Sequence, residues 1–257
     1  IDFYQGSVLT IVNGLSYPKA MAKAPRCLSF ALSKSFDMRT KQTIAVIGAT
    51  GSMGSAIAKS LSKGNYRLLL FTKDKSKLKK LEREIAAAYP AGDVEPVNCS
   101  DTASWEADVI ICAFPYAAEK EVADKIRKVA NQKIVISIAN PLNESYDALV
   151  TAPNTSAAEE LQNLLPHSKV IKAFNTTFAA DFAQPVIDGK QVDAFIAGND
   201  SDALETVKEL VQTAGFNPVV AGDLSVSRIL ENMQLLLIRL GMKYNYNGLA
   251  GWKILHQ

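Results

Sequence analysis

Three glycines spaced three apart, Gly48, Gly51 and Gly54, lie in the run Gly48-Ala49-Thr50-Gly51-Ser52-Met53-Gly54. A strand-like stretch, Thr43-Ile44-Ala45-Val46-Ile47, precedes the run, and a helix-like one from Ser55 to Ser62 follows it. Glycines in that setting bind phosphate. The first permits a tight turn, the second lets backbone N–H groups approach the anion, and the third lets the helix pack closely on the strand. The ligand expected there is the pyrophosphate of a dinucleotide. The spacing is G-x-x-G-x-x-G rather than the common G-x-G-x-x-G, so the flanking strand and helix carry much of the inference.

The next apolar run, Tyr66-Arg67-Leu68-Leu69-Leu70-Phe71-Thr72, is expected to be the neighbouring parallel strand, whose tip meets the adenosine ribose. An acid at that tip accepts from the 2′-OH of NAD, whereas a 2′-phosphate calls for hydroxyls and cations. The chain offers Thr72 and Lys73, with Lys77 one helical turn on, and this favours NADP(H). Asp74 is placed to cap the following helix, and Lys79 and Lys80 belong to a solvated helix face.

Ligands of an open parallel sheet bind outside the carboxyl ends of its strands. After the expected fourth, fifth and sixth strands come Phe114-Pro115-Tyr116, Asn140-Pro141-Leu142 and Asn175-Thr176-Thr177, all neutral. Glu144 is the nearest acid in sequence. His167 precedes the sixth strand, at the opposite end of the sheet, and His256 is in the tail. Such a site suits hydride transfer to a conjugated acceptor, in which the protein supplies proximity and orientation. Tyr116-Ala117-Ala118-Glu119-Lys120 spells the Y-x-x-x-K of short-chain dehydrogenases, but it follows the fourth strand, too early in the chain for that pair.

The elements that must position these groups alternate in type. Strands are expected at Asp93–Asn98, Asp108–Phe114, Lys133–Ala139 and Lys169–Asn175, with a helix over Tyr116–Ala130 and another opening at Thr155-Ser156-Ala157-Ala158-Glu159. Continuous apolar strands such as Val109-Ile110-Ile111-Cys112-Ala113 imply burial on both faces, hence an α/β fold with a Rossmann-type doubly wound parallel sheet. A small C-terminal α/β extension follows: Val192–Gly198, Asp202–Ala214, Phe216–Gly222 and Val226–Leu240. The division expected is 1–40 as a leader outside the fold, 41–185 as the nucleotide-binding domain and 186–257 as the small domain. Residues 1–37 hold Lys19, Lys23, Arg26 and Lys34 against only Asp2 and Asp37 and lack periodicity; they suit translated upstream sequence or, less well, a transit peptide.

With 257 residues, 48% of them hydrophobic, the chain can bury one full α/β core. A net charge of +2, mixed along the sequence, argues against nucleic acid as a partner. Cys27, Cys99 and Cys112 lack metal-ligand spacing, so no metal is expected, and a reducing, cytoplasmic compartment fits. No apolar run reaches the length of a membrane span. The last helix carries Ile229, Leu230, Met233, Leu235, Leu236, Leu237, Ile238 and Leu240 on nearly every side, so it must be covered on every side, and a homodimer is expected.

The glycine run, Thr72-Lys73 with Lys77, Asn140-Pro141-Leu142, Lys172-Ala173-Phe174-Asn175-Thr176 and Ala221-Gly222-Asp223-Leu224-Ser225-Val226-Ser227-Arg228 together resemble the coenzyme F420-dependent NADP reductases. They are also similar to the cytosolic reductase domain of the STEAP metalloreductases, and the likeness runs from about Thr43 to Lys253. The resemblance implies NADP(H) as cofactor and hydride exchange with a small-molecule acceptor, F420 or a flavin. It places Gly48, Thr50, Gly51, Ser52, Met53 and Gly54 on the pyrophosphate, Thr72, Lys73 and Lys77 on the 2′-phosphate, and Phe114, Pro115 and Asn140 on the nicotinamide side. Asn140, Asn175 and Thr176 then orient the two rings. Two other functions stay open: a non-catalytic NADP(H)-binding or sensing module, and a reductase of a small imine or carbonyl compound.

Overall fold

The computed structural model describes residues 41–256, and the expected leader lies outside them. Its frame is an eight-stranded sheet. The first half alternates β1 (Gln42–Ile47), α1 (Ser52–Leu61), β2 (Tyr66–Phe71), α2 (Lys75–Ala88), β3 (Asp93–Pro96), α3 (Ser100–Glu106) and β4 (Val109–Cys112). Then come α4 (Glu119–Ile126), β5 (Ile134–Ser137), α5 (Ala157–Leu164) and β6 (Lys169–Lys172). A hairpin of β7 (Val186–Ile187) and β8 (Lys190–Gln191) leads to β9 (Asp193–Gly198), α6 (Ser201–Thr213), β10 (Asn217–Gly222) and α7 (Ser227–Tyr244).

The strand order is β10-β9-β6-β5-β4-β1-β2-β3. All neighbours are parallel except β6 and β9, where Ile171 faces Gly198 and Lys172 faces Ala197 in antiparallel register. Alternation along β1 explains why helices cover both faces. Ile44 and Val46 point into one core with Ile57 and Leu61 of α1, Leu81 of α2 and Val207 of α6. Ala45 and Ile47 point into the other with Ala103 of α3, Ile126 of α4 and Leu161 of α5. The sequence-based expectation of a doubly wound sheet is met. The C-terminal strands add to the same sheet, and Trp252 pairs with Asp193 at the start of β9. There the Asp193 carboxylate accepts from Asn217, Lys253 and the backbone N–H of Ile254 at 2.6 to 2.7 Å.

Side chains set the helix starts. Asp74 caps α2 by accepting from the N–H groups of Ser76 and Lys77, as its position in the sequence suggests. Ser156 caps α5 and donates in turn to Glu159 at 2.7 Å. Three expectations need adjusting. Helix α3 goes unforeseen because Ser-Asp-Thr-Ala-Ser-Trp-Glu offers little apolar period. Tyr116–Ala118 is a 3₁₀ turn, with α4 starting only at Glu119. The chain covers α7 on one side, through Leu230 and Leu237, and leaves Ile229, Leu236 and Met242 at 61%, 50% and 66% exposure. Among the described residues no helix is long and apolar enough to cross a membrane.

The glycines of the first loop divide by what requires them. Gly48 has φ +90°, and a Cβ there would lie 2.2 Å from the Ala113 carbonyl oxygen. A Cβ at Gly54 would lie 2.3 Å from the Gly48 oxygen. Gly51 has φ −67°, and its nearest contact would be an ordinary 3.4 Å. Gly48→Ala and Gly54→Ala should therefore each cost more than about 2 kcal/mol, while Gly51→Ala stays within about 1 kcal/mol of the parent. Urea unfolding measures all three; equal losses would refute the division.

Candidate active site

The loop from Gly48 to Gly51 is pinned to the end of β2. The N–H groups of Gly48 and Ala49 both donate to Phe71 O, at 2.8 and 3.0 Å, and the Thr50 and Thr72 hydroxyls lie 2.8 Å apart. Two sites expected from the sequence to serve one cofactor are thus held side by side. Gly51 is the residue before α1, no side chain caps that helix, and its first turn has no acid. Ser52, Met53 and Gly54 therefore present free N–H groups at the positive end of the helix dipole. Beyond β2, Lys73 Nζ lies 3.3 Å from Glu121, and Lys77 Nζ lies 3.5 Å from Asp74. Both lysines are largely exposed, and surface pairs of this kind exchange at little cost for a phosphate. Hydrogen bonding from Ser76 holds the Asp74 carboxyl below its ordinary value.

Further along the same carboxyl end of the sheet, the tips of β5 and β6 meet. Asn140 Nδ2 donates to Asn175 O at 2.9 Å, and Asn175 Nδ2 donates to Asn140 Oδ1 at 3.0 Å and to Leu230 O at 3.1 Å. Phe174 turns the chain here with φ +60°, a sparsely populated conformation for a bulky residue. Asn140 stays half-buried and Phe114 and Pro115 reach the surface, whereas Asn175 and Thr176 are buried. The Thr176 hydroxyl faces Phe195 N at 3.5 Å, so Thr176 is oriented toward β9 and away from any open surface.

Tyr116 and Lys120 do not form a catalytic pair. Tyr116 donates to Glu160, and burial raises the phenol above its ordinary value, while Lys120 binds Asp124 at 2.7 Å. His167 is exposed in the turn before β6. Cys112 is buried, and desolvation raises its thiol. The described residues hold no cluster of His, Cys, Asp and Glu able to bind a metal.

The sequence model of the family described as NADP oxidoreductase, coenzyme F420-dependent, matches residues 43–141. The F420-dependent NADP reductase of Methanocaldococcus jannaschii is 32% identical over 217 residues, covering 80% of this chain and 95% of that protein. The chain belongs to the F420-dependent NADP reductase family. Human metalloreductase STEAP2 is 27% identical over 78% of this chain and 52% of its own. The crystal structure of a putative F420-dependent NADP reductase from Arthrobacter sp. FB24 superposes with a TM-score of 0.71 at 25% identity, over 83% of this chain and 99% of that one. This is an oxidoreductase of the NADP-dependent class.

One expectation fails: the strand tips of this reductase are not free of charge. Strand β6 ends at Lys172, and the Lys172 ammonium lies 2.6 Å from the Glu231 carboxylate, both fully buried. The expected sixth strand, Lys169–Asn175, reaches three residues beyond the observed one, because apolar Ala173 and Phe174 extend the run after the strand has ended. A signal was available at one of the two: Lys172 is a lone charge between Val170-Ile171 and Ala173-Phe174, whereas Glu231 stands among Arg228, Asn232 and Gln234. Glu119 was also missed. It is buried at the start of α4, and neither carboxylate oxygen has a hydrogen-bond partner among the described residues. Burial pushes its carboxyl up to about 8; nearby Lys172 lowers it, and Glu231 and Glu160 raise it further.

The sign of the pH effect follows. Between the ordinary carboxylate range and about pH 8, Glu119 is ionised in the unfolded chain and protonated in the folded one. Stability therefore falls as pH rises through that window, by up to about 1.4 kcal/mol per unit. Glu119→Gln should remove this slope, so that the variant gains on the parent from pH 6 to pH 8 in urea titrations. Parallel profiles would show that Glu119 is not held protonated.

Proposed function

We propose that this reductase passes a hydride between C4 of NADPH and the C5 of a deazaflavin such as F420, or the N5 of a flavin. The observation that carries the reading is the joined pair of neutral amides, Asn140 and Asn175, at the same sheet edge as the uncapped start of α1. The family's named members support the acceptor class. Ring reduction takes up one proton from solvent with the hydride, so charge and atoms balance without a covalent enzyme intermediate. The backbone of Thr50, Gly51, Ser52, Met53 and Gly54 holds the pyrophosphate, and Thr72, Lys73 and Lys77 hold the 2′-phosphate. Phe114, Pro115 and Asn140 border the nicotinamide, with Asn175 and Thr176 fixing that edge from within. Residues 41–185 supply the cofactor site and 186–257 complete the acceptor site. A cytoplasmic setting accords with the free, exposed Cys99.

Gly51→Ala should fold yet lose NADPH and NADH alike, since its Cβ would enter the space of the pyrophosphate. Lys73→Ala should weaken NADPH by about 1–3 kcal/mol and leave NADH almost unchanged. Calorimetric titration reports both, and equal affinity of the parent for the two cofactors would dismiss the 2′-phosphate assignment.

With deuterium placed on one face of C4 of NADPH, the label should appear at C5 of the reduced deazaflavin, and Asn175→Ala should slow turnover about 10- to 100-fold. Failure of F420, FMN, FAD and riboflavin to oxidise bound NADPH would instead favour a cofactor-binding module.

The uncovered side of α7 leads to the homodimer proposal: a second copy covers Ile229 and Leu236. Light scattering should give twice the mass of one chain, and a monomeric parent at micromolar concentration would reject it.

A further inference from the structure

The Lys172–Glu231 pair belongs to a closed circuit. Lys172 Nζ donates to the Ala139 carbonyl at 2.5 Å and lies 2.6 Å from Glu231 Oε1. Glu231 follows Leu230, whose carbonyl accepts from Asn175. Asn175 exchanges two hydrogen bonds with Asn140, and Asn140 follows Ala139. The second Glu231 oxygen accepts from Ala157 N at 3.2 Å, at the start of α5. Each turn of the circuit crosses from β5 to β6 to α7 and back.

The carbonyl of Ala139 and the N–H of Asn140 share one rigid peptide plane. A donor fixed on that oxygen therefore fixes the plane and the position of the Asn140 Cα. We propose that Lys172 and Glu231 are positioning residues for the reaction: by clamping the Ala139–Asn140 peptide they hold the Asn140–Asn175 amides in the register the nicotinamide requires.

Stability does not explain a charge pair at this place. Replacing a buried ion pair with apolar residues of like volume is often neutral or stabilising, while removing one member alone is costly because it strands a buried charge. What an apolar pair would not supply is the donor to Ala139 O. Geometry is what the pair secures.

The inference rests on the NADPH site proposed above, and the test separates the two. The parent and the variants Lys172→Met/Glu231→Met and Glu231→Gln are compared for melting temperature, affinity for 2′,5′-ADP, fluorescence of bound NADPH, and kcat and KM with NADPH and F420. The ligand 2′,5′-ADP carries the 2′-phosphate and no nicotinamide. The double variant is expected to melt within a few degrees of the parent and bind 2′,5′-ADP within twofold. The nicotinamide fluorescence enhancement should fall below half, and kcat should fall at least tenfold while the KM for NADPH moves less than threefold. Glu231→Gln, which leaves a donor on Ala139 O, should lose only about threefold in kcat. A folded double variant with parental fluorescence and kcat would overturn the proposal. Equal weakening of 2′,5′-ADP and NADPH, or failure of both variants to fold, would also overturn it by showing a purely structural role. No NADPH binding by the parent would bring down the functional reading itself.

Discussion

An ammonium and a carboxylate removed from water hold each other only where every remaining lone pair and proton is also engaged. Lys172 and Glu231 move toward that condition by each reaching one further backbone group: the Ala139 carbonyl just past β5 and Ala157 N at the start of α5. The ends of β5 and β6 therefore cannot move independently of α7. The same constraint explains the conformation of Phe174. Its left-handed turn ends β6 at the buried lysine and delivers Asn175 back toward Asn140.

Much of the frame was legible because it is written in periodicity. Apolar runs such as Val109-Ile110-Ile111-Cys112 can satisfy both faces only in a sheet covered twice, and the six parallel strands from β3 to β6 follow from that. The join between the glycine loop and the end of β2 was legible for a different reason. A glycine spacing, a hydroxyl and two lysines are local features, and the pinning of Gly48 and Ala49 to Phe71 O joins them without help from distant segments. The junction of β5, β6 and α7 was not legible in this way. Its decisive contacts join residues 139, 172 and 231, and an apolar stretch does not announce where a strand stops bonding and turns. Lys172 was thus assigned to the interior of a strand, and Glu231 was not singled out at all. Glu119 was overlooked for a related reason: inside Tyr116-Ala117-Ala118-Glu119-Lys120 it looks like a solvated helix-start acid, and only the packing of α4 against α5 shows that water is excluded.

The antiparallel entry of β9 beside β6 sets what the C-terminal half can contribute. Because β9 runs against its neighbour, its start, tied to Trp252 through Asp193, lies at the same edge as the end of β6. Helix α7 then returns with Leu230 and Glu231 facing that edge and Ile229 and Leu236 facing away. One helix thereby serves two purposes on opposite sides, which is why its apolar pattern looks continuous in sequence although only half of it is used within the chain.

Gly51 has a consequence of another kind. Its backbone lies where any residue can sit, and its protein neighbours leave room for a side chain. Gly48 and Gly54 are held by sterics, so mutation there is purged by misfolding whether or not the cofactor is used. At Gly51 the protein itself leaves room, and the proposed pyrophosphate is what opposes a side chain. In a lineage that keeps this fold after its redox work has ended, position 51 is where drift will show first, and a side chain there will mark a descendant that has become a scaffold.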